Sequence, residues 1–242
     1  MANKNQDNTY KRGFNDGLAI GLGYLSVSFS FGIMAVSSGL TWWQAVIISI
    51  SNLTSAGQVA GVGIMAASGT LIEMFLSQLV INIRYSLMAI SLSQKVDSSM
   101  NLPSRAILGY GITDEIFGVA MAADHDVGRR YLAGLMTLPI LGWTLGTLLG
   151  AVLGSILPEN LTVALAIGIY GMFVAIVLPV AKKNKRILTV VLMAIMFALI
   201  IRYVPFFSFL SGGFAAIVSA VLASAIGAFI LPVDDIDDKE AA

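Results

Sequence analysis

The sequence predicts an all-α polytopic membrane protein, a bundle of about eight transmembrane helices, with seven as the alternative, in which the second helix is broken. Three observations carry this. Of the 242 residues, 57% are apolar and only 12% charged, against about 25% charged in a soluble domain. Apolar blocks nearly fill the chain from Gly17 to Leu231, and about 20 such residues suffice to cross a hydrocarbon core. Finally, "SNLTSAGQVAG" (Ser51 to Gly61) places Asn, Thr, Ser, Gly and Gln at what should be membrane depth. Irregular backbone is tolerated there only if buried in protein or lining a cavity. The expected organisation is a cytoplasmic N-terminal tail over residues 1–16, a transmembrane domain over 17–231 and an acidic cytoplasmic tail over 232–242.

The first segment, Gly17 to Ser37, follows Lys4, Lys11 and Arg12 and is dense in Gly and Ser, which suits a helix packed inside a bundle better than a signal peptide. The second, Trp43 to Ala66, holds the break; the N-terminus of its second half would aim free N–H groups and a positive dipole end at an anion. An unbroken helix with a polar stripe is the alternative. The third, Thr70 to Ser93, carries Arg84 within "QLVINIRYSLMAISLS". The fourth, Ser104 to Met121, contains "GYGITDEIFG" with Asp114 beside Glu115. Tyr131 to Leu157, Leu161 to Ala181, Ile187 to Tyr203 and Phe209 to Leu231 complete the set.

Lys and Arg in short loops stay cytoplasmic. With eight crossings, Lys11-Arg12 and "KKNKR" (Lys182 to Arg186) share the cytoplasmic side with Arg129 and Arg130, and Lys95 and Arg105 fall outside. If the fourth segment were only re-entrant, "KKNKR" would be stranded outside unless another segment also failed to cross. Small residues recur every fourth position at Gly13, Gly17 and Gly21, at Gly142, Gly146, Gly150 and Gly154, and at Gly212, Ala216, Ala220, Ser224 and Ala228. Such stripes let helix backbones approach closely. "INIRYS" and "LIIRYV" give a faint internal echo.

The polar residues inside these segments are the candidate site. An arginine at a helix centre costs about 2.5 to 3.5 kcal/mol and requires a partner or a watery cavity. Gln78, Asn82, Tyr85 and Ser86 share one helix face, whereas Arg84 lies about 160° from Asn82, so protein is expected on both sides. Asp114 or Glu115 could pair with Arg84, receive an ammonium group or carry a proton; alternatively the segment ends there and both touch water. Glu73, near a segment end, is expected to be solvated.

Other chemistries are disfavoured. Zero net charge without a basic face speaks against nucleic acid, and the absence of cysteine removes disulfides, thiolate metal sites and thiol catalysis. An intramembrane enzyme would need a base within reach of a nucleophile, yet the lysines lie outside the apolar segments and His125 sits in the polar turn "ADHDVGRR". The adjacent carboxylates point about 100° apart, which does not suit an aspartyl dyad.

A Ser/Ala/Gly/Gln break, then "NIR" inside a helix, then "TDE" ahead of a Phe together resemble the large subunit of the branched-chain amino-acid exporters, the AzlC-like family, over about Gly17 to Arg202. The resemblance implies export of branched-chain and similar apolar amino acids across the cytoplasmic membrane, with a small AzlD-like membrane subunit as partner; the charge parity of eight crossings places both termini in the cytoplasm, and no cofactor is expected. In such an exporter the substrate-binding residues would be Asn52, Ser55, Gly57, Gln58, Gln78, Asn82, Arg84 and Asp114, with Asp114 and Glu115 coupling efflux to protons. A non-transporting membrane component or a channel is the alternative. Three departures stand out: Thr54-Ser55-Ala56-Gly57-Gln58 at the break, Tyr85 where a His is frequent after the arginine, and no acid near Ile169.

Overall fold

The computed structural model describes residues 8–154 and 184–230 continuously, and isolated positions between them. In chain order the helices are α1 (Tyr10–Asp16), α2 (Leu18–Ser37), α3 (Trp42–Ser51), α4 (Ser55–Ala66), α5 (Leu71–Ser93), α6 (Leu102–Gly109), α7 (Asp114–Ala122), α8 (Arg129–Leu153), α9 (Lys185–Tyr203) and α10 (Gly212–Ile230). The fold is all-α, and five of these helices (α2, α5, α8, α9 and α10) are long and apolar enough to cross a membrane. Helix starts follow capping chemistry, in which a side-chain oxygen accepts from a first-turn amide. Thr9 accepts from Arg12 N, Thr70 from Glu73 N, Asn101 from Ser104 N, Thr113 from Ile116 N and Asn184 from Arg186 N.

The α1–α2 unit and α8 run parallel along a glycine seam. A Cβ on Gly13 would strike the Tyr131 carbonyl and one on Gly17 that of Leu135, while one on Gly150 would strike Phe29 O. The first two small-residue stripes are therefore this interface, and residues 10–16 belong to the helical core through it. The stripe expected on α10 is not the packed one: Ser219, Ala223 and Gly227 are its buried residues, with Gly227 set against Val190 of α9. Gly212, Ala216 and Ala220 instead line a cavity.

Contacts between helix ends fix direction. Asn8 bonds Asp97, the Asp126 carbonyl and the Gly128 amide, so the N-terminus, the end of α5 and the start of α8 meet at what we call the proximal end. The start of α5 lies at the other, distal end, where Glu73 bonds Gly213 of α10. Because α2 ends distally, beside the end of α8, α3 starts distally and α4 returns distally to feed α5. Likewise α6 leaves the proximal end and α7 returns to it, where Val96 pairs with Val127 and Lys95 Nζ bonds the Met121 and Ala123 carbonyls.

The second segment is broken, as expected, but it turns back instead of crossing, and so does the fourth. Each half-helix, of 10 and 12 residues in the first pair and 8 and 9 in the second, is too short to span alone. The count of eight crossings is thereby corrected at two segments. Lys95 and Arg105 lie at the proximal end with Arg129 and Arg130, not opposite them. Since α9 packs antiparallel to α10, with Val190 near Gly227, Lys185 and Arg186 are proximal too. Arg202 sits exposed in the last turn of α9, unlike mid-helix Arg84, so the "IRY" echo is not a structural repeat. The sixth segment, Ile169 and the acidic tail lie outside the described residues.

Candidate functional site

The tips of the two hairpins meet at mid-depth around a cavity of about 630 Å³. Its walls are Leu53, Ser55 and Ala56 from the first tip, Thr113, Asp114 and Glu115 from the second, Tyr24 of α2, Ile81, Arg84 and Tyr85 of α5, Trp143 of α8, and Val177. Both tips present the N-terminus of a half-helix, α4 on one side and α7 on the other.

The α7 tip supplies its own negative charge. Thr113 caps the helix from an extended backbone, and Asp114 and Glu115 occupy its first turn, where carboxylates are favoured. Asp114 forms an ion pair with Arg84, Nη1 to Oδ2 at 3.0 Å. Arg84 Nη2 donates to the Tyr85 hydroxyl at 3.3 Å, and its guanidinium lies 5.0 Å above the Tyr85 ring. With side chains 45% and 47% exposed, the pair faces open space. Glu115 bonds the Tyr24 hydroxyl, which lies 2.6 Å from Thr113 Oγ1. Tyr24 in turn packs edge-on against Trp143 at 5.2 Å.

The α4 tip is chemically bare. Thr54 stands at its N-cap yet makes no cap bond, and the first backbone bond of the helix is Gln58 N to Thr54 O at 2.9 Å. The amides of Ser55, Ala56 and Gly57 precede that bond and have no intrahelical partner. Behind the tip, Gln78 Nε2 donates to the Gly57 carbonyl at 2.9 Å and Asn82 Nδ2 to Gln78 Oε1 at 3.0 Å. Among the described residues Thr54 Oγ1 and Asn82 Oδ1 are buried without a hydrogen-bond partner, although buried polar atoms are ordinarily paired.

Of the residues expected at the site, Ser55, Arg84, Asp114 and Glu115 line the cavity. Gly57, Gln78 and Asn82 form the layer that supports the α4 tip. Gln58 faces elsewhere: fully buried, it donates to Ser49 Oγ at 2.9 Å and accepts from Trp143 Nε1 at 2.8 Å, and Ser49 meets Thr147 at 2.6 Å. Both ends of its amide are engaged in fastening the first hairpin to α8. Asn52 terminates α3, bonding Ile48 O through its amide.

Sequence reasoning did not place Tyr24, Thr113 or Trp143 in the site. Thr113 followed by two acids is a helix-start signature and could have revealed the tip. Tyr24 and Trp143 carry no such mark, because aromatics in apolar helices are usually packing. Glu73, expected in water, is 3% exposed and bonded to Ser211 and Gly213.

Residues 19–157 match the family described as AzlC protein. The Escherichia coli K12 inner membrane protein YgaZ is 27% identical over 143 residues, covering 57% of this chain and 58% of that protein. A membrane protein of Archaeoglobus fulgidus is 27% identical over 175 residues, 72% of this chain and 76% of its own length. One of Helicobacter pylori is 26% identical over 111 residues, 46% and 47% of the two chains. No solved structure matches.

Proposed function

From the fact that this chain belongs to the AzlC family of membrane proteins, we propose that it exports branched-chain and related apolar amino acids across the cytoplasmic membrane as a secondary transporter. The observation that carries this reading is the open Arg84–Asp114 pair beside the uncapped α4 tip. A zwitterion can insert into that pair. Its carboxylate would take the Arg84 guanidinium, bidentate where Lys offers a point charge, together with the Ser55 and Ala56 amides. Its ammonium would take Asp114, and its aliphatic side chain the apolar wall of Leu53, Ile81 and Trp143. Substrate then replaces an internal ion pair charge for charge, so neither group is left unpaired at membrane depth.

Asp114 and Glu115 are the proposed proton carriers, with Tyr24 bridging Glu115 to Thr113. The proximal end, which gathers Lys95, Arg105, Arg129, Arg130, Lys185 and Arg186, is proposed to be cytoplasmic, and the N-terminus is proposed to share that side. A small AzlD-like membrane protein is the proposed partner. Full efflux from a host with no such protein would remove the partner from the reading.

The test is leucine efflux from dipeptide-loaded cells, with membrane abundance measured in parallel, for Arg84→Lys, Arg84→Gln, Asp114→Asn and the Arg84→Gln/Asp114→Asn pair. Each single variant should lose efflux, and Arg84→Lys should remain abundant. Near-normal efflux from the double variant would refute the carboxylate-anchor role, because a neutral pair cannot hold a carboxylate.

A further inference from the structure

A second cavity, of about 460 Å³, lies between α4, α5 and α10 on the distal side. It falls in the range of small-molecule sites, about 300 to 1,000 Å³. Its walls are small or aliphatic, among them Ala60, Ile64, Val80, Ala216 and Ala220, with one acid, Glu73. Glu73 is buried, 3% exposed. Its Oε1 accepts from the Ser211 hydroxyl and from the Gly213 amide at 3.0 Å, at the start of α10. Its Oε2 has no hydrogen-bond partner among the described residues, and no cation there pairs with the carboxylate. The bonds to α10 account for one oxygen; the other lies beside Gly69 of the α4–α5 turn, on a side chain that lines the apolar cavity.

A carboxylate in such surroundings favours a cation that brings its own apolar body. Metal ions are poorly served by a single carboxylate among hydrocarbon walls. A primary aliphatic ammonium suits both features. The two cavities also adjoin: Ile81 lines both, and Ala56 of the central site and Ala60 of this one are a helical turn apart on α4.

We infer that the Glu73 cavity is a distal exit site, in which Glu73 Oε2 receives the ammonium and the small residues of α4 and α10 the aliphatic side chain of the amino acid leaving the central site. This rests on the export reading above. The stripe Gly212, Ala216 and Ala220, exposed along α10, then serves as clearance for a branched side chain.

Isoamylamine, which is leucine without its carboxylate, is the probe. It has nothing to offer Arg84, so its binding to the purified full chain by calorimetry reports on the ammonium site without requiring transport. The wild type should bind it, and Glu73→Gln and Ala216→Leu should each weaken binding at least tenfold, whereas Asp124→Asn, which removes an exposed acid of the proximal turn outside both cavities, should not. Absence of binding to the wild type overturns the inference, as does unchanged binding to either cavity variant or loss on Asp124→Asn. If Glu73→Gln does not accumulate, Ala216→Leu decides alone, since it leaves the cap on α10 intact. Leucine efflux measured on the same wild-type protein separates the two readings. Efflux without amine binding refutes the exit site only; amine binding at Glu73 without efflux of any amino acid refutes the export reading.

Discussion

The two hairpin tips are built from one backbone device and carry opposite chemistry. In each, a threonine in extended conformation precedes a half-helix whose N-terminus points to mid-depth, Thr54 before α4 and Thr113 before α7. Thr113 caps its helix and is followed by two acids; Thr54 caps nothing and is followed by Ser55, Ala56 and Gly57. A helix N-terminus favours anions. The α7 tip meets that preference from its own sequence, with Asp114 paired to Arg84, while the α4 tip leaves it unmet. On the proposed reading, the difference between an acid and a serine after the threonine makes a repeated fold element into the two poles of a zwitterion site.

The comparison breaks most completely if the tips are not both re-entrant. The chain has no native cysteine, so single cysteines report cleanly. With an impermeant maleimide on intact cells, Ser37→Cys and Ala67→Cys should both label, and Ser98→Cys, Asp124→Cys and Lys185→Cys should be protected. Opposite behaviour of Ser37 and Ala67 would show that the second segment crosses.

Charge at the tips gives the next largest effect. Arg84→Lys keeps the charge but loses the planar fork, and efflux should fall about tenfold or more, in line with the ~1.5–3 kcal/mol of a hydrogen bond to a charged group. Transplanting the acid should be as damaging: Ser55→Asp gives the α4 tip its own anion, which would occupy the amides and Arg84. Efflux of Ser55→Asp at the wild-type rate would deny the α4 tip its role.

Glycines in the two half-helices should separate by steric environment. A Cβ on Gly57 would meet Thr54 Oγ1 and lie 2.7 Å from Gln78 Oε1, whereas one on Gly118 meets nothing within 4 Å. Gly57→Ala should therefore destabilise by about 1 to 3 kcal/mol, and Gly118→Ala should be neutral or gain up to about 1 kcal/mol in helix propensity, as read by thermal unfolding in detergent. The smallest effect concerns the threonines. Thr113→Ala removes a working cap and should cost about 1 kcal/mol, while Thr54→Ala removes an unpartnered hydroxyl and should cost close to nothing. Equal losses would mean the tips are alike after all.

The first tip was legible because Asn52, Thr54 and Ser55 interrupt an apolar run, and a polar break at that depth has few structural meanings. The second was legible only as an alternative, the re-entrant reading of the fourth segment. Ser104 to Met121 has the length of one span, and whether such a segment crosses or doubles back is settled by contacts distant in sequence, such as Lys95 with Met121 and Val96 with Val127. Arg84 and Asp114 could be named from the cost of charge in lipid, and of the two acids open to Arg84 in sequence the structure selects Asp114. Gln58 and Gln78 look equivalent in sequence, yet one fastens a hairpin to α8 and the other braces the α4 tip. Glu73 was misjudged because position near a helix start says nothing about a neighbouring helix that begins against it.

The glycine seam has a mechanical consequence. Where Gly13, Gly17, Gly142, Gly146 and Gly150 bring backbone against backbone, there is no side-chain cushion to shear, and sliding α2 past α8 by one residue would drive Cβ atoms of the neighbouring positions into carbonyl oxygens. The pair is locked in register and behaves as a keel. On the export reading proposed above, a rearrangement that opens the central cavity alternately to the two sides of the membrane would leave this keel still and be borne by the elements hung from it, the two short hairpins and the α5–α10 layer.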